Sequence, residues 1–83
     1  MLTITFASHM ARVLGAESVE VDPETNVRHL LRSLSRRYGP AFDERIKHCK
    51  VIVNGDNVAF LKGKSTPLKD GDTITILPPM AGG

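Results

Sequence analysis

The strongest local signal in this chain is the stretch TNVRHLLRSLSRRYGP, residues 25–40. Its apolar residues recur with the period of an α-helix and form one stripe: Val27, Leu30, Leu31, Leu34 and Tyr38. Thr25 is placed to cap the start of this helix, because a threonine hydroxyl can accept from a free backbone N–H of the first turn. Gly39 can adopt the positive φ of a helix end, and Pro40 cannot continue the helix. The sequence therefore predicts one amphipathic helix with both ends marked.

Alternating apolar and polar residues predict strands on both sides of this helix. Leu2, Ile4 and Phe6 alternate with threonines, which is typical of a strand with one buried face. Val19 and Val21 alternate in a shorter segment, which could pair with the first strand as an antiparallel hairpin. Three later segments have the composition of strands: residues 50–53, 58–61 and 73–77. Residues 7–16 are predicted as a turn or a short helical segment, and residues 41–48 as a short helical turn that seals the edge of the sheet.

Turn signals separate the later strands. Asn54-Gly55 tolerates the positive φ angles of a tight turn, and Asp70-Gly71-Asp72 precedes the last strand. The predicted order is strand, strand, helix, strand, short strand, strand. This order places one main helix across one face of a mixed sheet, which is an α+β arrangement of two layers. We therefore predict one domain over residues 1–77 and an extended C-terminal tail over residues 78–83.

Composition limits the classes of protein to which the chain can belong. With 83 residues, 41% hydrophobic and 24% charged, it has the composition of one small globular domain. A net charge of +2 does not identify a partner. No apolar run approaches the length of a membrane span, and the first residues lack the pattern of a signal peptide. Cys49 is the only cysteine, which excludes an intrachain disulfide and agrees with a reducing compartment, so we predict a cytoplasmic location.

The last six residues differ in composition from the rest of the chain. Pro78-Pro79 directly follows the last predicted strand and holds the backbone extended, because proline cannot donate to a sheet. The four residues after it have no charged side chain: Met80, Ala81, Gly82 and Gly83. Such a slim segment cannot contribute to a core. We interpret it as a tail that enters a narrow channel in another protein and presents its terminal carboxylate there.

These residues resemble the C-terminal signature of the MoaD/ThiS ubiquitin-like sulfur carriers. The likeness lies in Leu68–Asp72, the strand Thr73–Leu77 and the tail Pro78–Gly83. It extends more weakly to Phe6 at the end of the first strand, to the leucine-bearing helix and to Val53-Asn54-Gly55. The resemblance implies a ubiquitin-like β-grasp fold for the whole length. Within the family, the Pro-Pro before Ala-Gly-Gly is most similar to the small subunits of molybdopterin synthase.

The resemblance implies that the chemistry takes place on Gly83. In this family an ATP-consuming, ubiquitin-activating-like enzyme adenylates the terminal carboxylate, and a persulfide sulfur then displaces AMP to leave a thiocarboxylate. Met80, Ala81 and Gly82 would insert into the partner with it. The chain itself would bind no cofactor and catalyse no reaction, and ATP would be consumed by the activating enzyme. The implied acceptor is the large subunit of molybdopterin synthase or another sulfur-acceptor enzyme.

A docking surface for these partners is expected on an exposed apolar part of the sheet. The resemblance makes Phe6 and Leu77 candidates, and Phe60 joins them on hydrophobicity alone, because aromatic anchors often dominate interfaces. The alternation of the first strand argues against Phe6, because it places this ring on the same side as Leu2 and Ile4, the presumed core side.

Other functions remain open at this point. A carrier of the same build could serve thiamine, cysteine or tRNA thiolation, and a ubiquitin-like modifier could join Gly83 to a lysine. The predicted helix also has a basic face, formed by Arg28, His29, Arg32, Arg36 and Arg37. No aromatic residues interleave with these cations, so a solvated face is favoured over a module that binds nucleic acid.

The sequence shows no pattern of an intrinsic active site or metal site. His9, His29 and His48 lack the spacing of metal ligands, so we predict no metal centre. Cys49 borders a strand of the buried type, which favours a small core residue over a reactive thiol.

Overall fold

A mixed β-sheet forms one layer of this protein in the computed structural model, which describes residues 1–78. Its five strands are β1 Leu2–Phe6, β2 Ser18–Val21, β3 Lys50–Val53, β4 Asp56–Asn57 and β5 Thr73–Leu77. Their order across the sheet is β2-β1-β5-β3-β4. The strands β1 and β5 pair in parallel at the centre, and the remaining pairs are antiparallel, including the predicted hairpin of β1 and β2. The predicted α+β class with a mixed sheet is confirmed.

Helices form the second layer. They are α1 Ser8–Leu14, α2 Val27–Tyr38 and α3 Pro40–Ile46, and two short 3-10 helices follow at Val58–Phe60 and Gly63–Ser65. In the described part of the chain, α2 is the longest helix with 12 residues, and none has the length and apolarity needed to cross a membrane. The helical alternative for residues 7–16 and the short helix predicted within residues 41–48 are therefore confirmed as α1 and α3.

The core lies between the two layers because the periodicities of strand and helix both turn apolar side chains toward it. The strands β1 and β5 contribute Leu2, Ile4, Phe6, Ile74 and Ile76, which are all buried. The helices contribute Met10, Val27, Leu30, Leu34 and Phe42, and the core also includes Val51 and Val53 of β3 and Leu68. The opposite face of the sheet, where the alternate residues of each strand point, carries no helix of this layer.

The first turn of α2 corrects the predicted cap. The capping residue is Asn26, whose side-chain oxygen accepts from the backbone N–H of His29 at 3.0 Å. The prediction of Thr25 was wrong by one residue, because both residue types can cap and the backbone of Thr25 is used elsewhere. Its carbonyl accepts from the N–H of Leu68 at 3.1 Å. The helix thus starts where the chain crosses the segment before β5.

The other end of α2 follows the prediction. Gly39 has a φ of 71°, and its N–H donates to the carbonyl of Ser35. Pro40 ends α2 and also occupies the first turn of α3, where its missing N–H has no helical partner to lose. One Gly-Pro pair therefore joins two helices.

Replacing Asn26 by alanine should lower the free energy of unfolding by about 1 kcal/mol, because it removes the acceptor for the first-turn N–H. The matched substitution Thr25→Ala should change it by less than about 0.5 kcal/mol. Urea denaturation of the two variants beside the unmodified protein measures both values. A larger loss for Thr25→Ala would place the cap back at the residue predicted from sequence.

The segment after β3 contains the second correction. A return strand was predicted at residues 58–61, but the structure has β4 at Asp56–Asn57 and a 3-10 helix at Val58–Phe60. The cause is the tight turn, in which Asn54 and Gly55 have φ angles of 50° and 93°. A two-residue turn starts the pairing at once, at Asp56. The side chain of Asn57 then accepts from the N–H of Ala59 at 2.8 Å and ends the strand.

Candidate functional site

The candidate site is the place where the chain leaves the sheet after β5. This strand is paired on both sides, with β1 in parallel and with β3 antiparallel, and its last residue Leu77 lies opposite Lys50. The carbonyl of Ile76 also accepts from the N–H of Ala7 at 3.0 Å. Pro78 follows and is exposed. The segment beyond it is therefore attached to the middle strand of the sheet, which is paired along both edges.

The start of β5 is anchored by side chains that the sequence analysis treated only as turn residues. Asn54 Nδ2 donates to Asp72 Oδ1, and Asn54 Oδ1 accepts from the N–H of Thr73, both at 2.9 Å. Asp72 Oδ2 accepts from the N–H of Lys69 at 2.8 Å. The turn between β3 and β4 is thus tied to the turn that leads into β5. Residue types alone could have indicated turns here, but not that the two turns meet.

The predicted tail residues Met80, Ala81, Gly82 and Gly83 lie outside the described residues. Their roles therefore stay predictions.

A cleft of about 330 Å³ lies beside the point of exit. Its lining comes from α1, from the end of α3 and from the first residue after β5: His9, Met10, Glu44, Arg45, His48, Cys49 and Pro78. Although several of these side chains are titratable, no group of three potential metal ligands occurs among residues 1–78. The cleft borders the exit of the chain and brings together residues that are far apart in sequence.

Cys49 is held as a neutral thiol in this cleft. It is partly buried against the core, and its Sγ donates to the carbonyl of Arg45 over 3.1 Å. Burial raises the pKa of the Cys49 thiol above its ordinary value. Because the thiolate is the nucleophile, this environment opposes reactivity. The structure therefore supports the interpretation of Cys49 as a packing residue, although its side chain is only partly enclosed.

We expect Cys49 to react with iodoacetamide more slowly in the folded protein at pH 7.5 than in urea-unfolded protein at the same pH. The reason is that unfolding removes the burial that raises the pKa and restores access to the sulfur. Mass spectrometry of samples quenched over time measures both rates. Equal rates in the two states would show that folding neither shields the Cys49 thiol from the reagent nor raises its pKa.

The three predicted docking residues differ sharply in exposure. Phe60 is 86% exposed on its 3-10 helix, and Leu77 is 38% exposed at the end of β5. Phe6 is only 4% exposed, so its assignment to a docking surface was wrong. It lies opposite Ile76 on the core side, and its ring meets that of Tyr38 edge to face, with centroids 5.8 Å apart. A surface role remains a prediction for Phe60 and Leu77.

The basic residues of α2 do not form part of the exit. Arg28, His29, Arg32, Arg36 and Arg37 are exposed on the side of the helix that faces away from the core. The basic face predicted from the sequence is thus present and exposed in the structure.

The strand order, the parallel central pair and the crossing helix define this protein as a ubiquitin-like β-grasp domain. The chain belongs to the ThiS family, whose profile matches residues 4–83. The resemblance to ThiS/MoaD ubiquitin-like sulfur carriers is therefore confirmed. Proteins of this kind are non-catalytic carriers or modifiers that act with partner enzymes, and this chain is one of them.

Similar proteins have been named both as modifiers and as sulfur carriers. The small archaeal modifier protein 3 of Haloferax volcanii is 34% identical over 90 residues, which cover 99% of this chain and 98% of that protein. The sulfur carrier protein CysO of Mycobacterium tuberculosis is 48% identical over 33 residues, 40% of this chain and 36% of that protein. One chain in the crystal structure of the Amycolatopsis orientalis BexX/CysO complex matches with a TM-score of 0.84 and 28% identity, covering 100% of both chains.

Proposed function

We propose that this protein carries sulfur as a thiocarboxylate on Gly83, after an ATP-consuming, ubiquitin-activating-like enzyme has adenylated the carboxylate. One observation supports this most directly: the central strand β5 is paired on both sides and ends at Leu77, next to an exposed Pro78. Five residues without a charged side chain follow, up to Gly83. Fully extended, five residues span about 17 Å. A short arm on a rigid base suits the delivery of a small group into an enclosed site.

The chemistry requires activation because a carboxylate has no good leaving group. Attack of the carboxylate on ATP forms an acyl adenylate and releases pyrophosphate. The terminal sulfur of an enzyme persulfide then attacks the acyl carbon, and AMP leaves. Cleavage of the remaining S–S bond by a second thiol releases the thiocarboxylate and forms a disulfide in the enzyme. The protein thus serves as the carrier, and its partners perform each step.

In this proposal, the residues of this chain let the C-terminal arm fit into the partner enzyme and orient the two proteins relative to each other. Met80, Ala81 and Gly82 form the slim part of the arm, and Leu77 and Phe60 offer exposed apolar contacts for docking. The acceptor predicted from the sequence resemblance is the large subunit of molybdopterin synthase, for which this chain would be the small subunit. Other acceptors that share the same loading chemistry would serve thiamine, cysteine or tRNA thiolation.

A second function is favoured by the full-length similarity to a small archaeal modifier protein. A lysine amine can attack the same acyl adenylate, which forms an isopeptide bond to Gly83 and releases AMP. The two functions share activation and differ in the nucleophile that captures the acyl group.

Incubation with ATP, the cognate activating enzyme and a persulfide donor should increase the intact mass by the difference between one sulfur and one oxygen atom. Removal of Gly83 should abolish this increase without changing the thermal unfolding midpoint, because the last described strand ends at Leu77. Intact-mass spectrometry measures the first result. If no mass increase occurs with an activating enzyme that consumes ATP in the presence of the protein, sulfur carriage is excluded.

Purification of the protein from its own cells, together with the proteins bound or linked to it, distinguishes the possible acceptors of the acyl group or sulfur. A non-covalent complex with a synthase large subunit would support the molybdopterin assignment. Gly83 linked to lysines in digested peptides would support the modifier.

A further inference from the structure

The exposed face of α2 is a basic surface that the proposed function leaves unused. Arg28, His29, Arg32 and Arg36 project from it over more than two turns, on the side opposite the buried Val27, Leu30 and Leu34. The helix contains no acidic residue. Among residues 1–78, none of these cations forms an ion pair with a carboxylate.

The charges at the start of this helix oppose its stability, whereas Arg36 and Arg37 in its last turn favour the helix dipole. The N-terminal end of a helix favours negative charge, but the first turn of α2 has no acidic residue and instead carries Arg28. Arg28 and Arg32, and then Arg32 and Arg36, are like charges four residues apart, and such pairs are destabilising. Unfavourable charge placement that no contact within the protein offsets is typical of residues that bind a partner.

The use of arginine rather than lysine on this face indicates which chemical groups a partner would present to it. The cations of α2 include four arginines and no lysine, whereas the five lysines all lie between residues 47 and 69. Arginine is enriched in protein interfaces and lysine is depleted there, because the planar guanidinium can pair with a carboxylate through two hydrogen bonds. The face therefore fits carboxylates displayed on a folded surface.

A long polyanion such as a nucleic acid fits the exposed face of α2 less well than a small cluster of carboxylates on a protein surface does. Glu20, Asp22 and Glu24 line a surface depression together with Ser33 and Arg37 of α2. A continuous chain of phosphates lying across the helix would approach these carboxylates and be repelled. In addition, the exposed face of α2 offers no aromatic side chain on which a base could stack.

We propose that the exposed face of α2 is a docking surface for an acidic patch on a partner protein. This face lies on the helix layer, whereas Leu77 points from the other side of the sheet, since its neighbour Ile76 is in the core. A partner bound to α2 therefore leaves the exit of β5 accessible. The surface acts independently of the chemistry on Gly83.

The test compares two double variants that change the net charge equally. Arg28→Glu with Arg32→Ala alters the α2 face, and Lys62→Glu with Lys69→Ala alters exposed lysines elsewhere. The probes are a short fluorescent peptide whose few glutamates form one bounded acidic cluster and an oligoribonucleotide of equal charge, titrated at low ionic strength. We expect the arginine variant to bind the peptide roughly tenfold more weakly, and the lysine variant no more than about twofold more weakly. The same results are expected after removal of Gly83, which separates this test from that of the proposed function.

Three results would overturn the proposal. The unmodified protein could fail to bind the peptide, or the two double variants could lose affinity equally, which would indicate only net charge. The oligoribonucleotide could also bind more tightly than the peptide and lose affinity in the arginine variant, which would assign the face to nucleic acid.

A stability measurement tests the same proposal without any partner. The single substitution Arg28→Glu should leave the thermal unfolding midpoint unchanged or raise it, because a glutamate in the first turn favours the helix dipole and can pair with Arg32. A lower midpoint would show that Arg28 already stabilises the fold, and the inference from unfavourable charge placement would fail.

Discussion

Replacing Phe6 by alanine should lower the free energy of unfolding by about 3–5 kcal/mol, the usual loss for a large aromatic residue in a core. The ring is 4% exposed and packs edge to face on Tyr38, so its removal leaves a cavity beside the central strands. Small domains have total stabilities of about 5–15 kcal/mol, and such a loss would leave this one close to unfolding. Guanidinium denaturation followed by circular dichroism measures the change.

The matched substitution is Phe60→Ala, which removes a ring that is 86% exposed. We expect it to change the free energy of unfolding by less than about 0.5 kcal/mol, because no packing is lost. If Phe60 docks on a partner, the same variant should be loaded with sulfur less efficiently although it is folded. If Phe6→Ala had the unfolding free energy of the unmodified protein but were loaded with sulfur less efficiently, Phe6 would belong to the docking surface after all.

Replacing Gly82 by valine should slow sulfur loading on Gly83 by about 100-fold or more, the effect expected when reacting atoms are displaced by about 1 Å. A branched side chain at this position would widen the arm beside the atoms that must enter the activating enzyme. The measurement is the initial rate of thiocarboxylate formation, followed by intact mass at fixed concentrations of enzyme and ATP.

Ala81→Gly serves as the control for this arm, because it changes the same segment and makes it slimmer. It should load at a rate within a few-fold of the unmodified protein. Both variants should unfold at the unmodified midpoint, since the last described strand, β5, ends at Leu77. Normal loading of Gly82→Val would contradict the idea that the arm must enter a narrow channel.

Much of the fold was predictable because neighbouring residues carry its signals. The period of two in residues 2–6 and 73–77 specified strands, and the apolar stripe of residues 27–38 specified α2. Gly39 and the Asn54-Gly55 pair mark chain reversals through backbone conformations that few other residues adopt. The small, uncharged residues at the C-terminal end indicated the candidate site without any knowledge of the sheet.

The three errors have different origins, and one of them depends on residues distant in sequence. Thr25 and Asn26 are both good caps, and the contact between Thr25 and Leu68 selects the second. The error on Phe6 came from resemblance, since the alternation of its own strand already placed it beside Leu2 and Ile4, and its pairing opposite Ile76 agrees with that alternation. The return strand was expected too far along the chain because the turn at Asn54 begins pairing immediately.

By itself, the sequence determined the type and approximate position of each main element, because hydrophobic periodicity and turn chemistry act between near neighbours. Tertiary structure alone decided that β1 and β5 lie side by side, that Asn54 ties two distant turns together and that the exit lies beside Cys49. Each of these contacts joins segments far apart in the chain. Their formation depends on how the whole core packs, which no local pattern specifies.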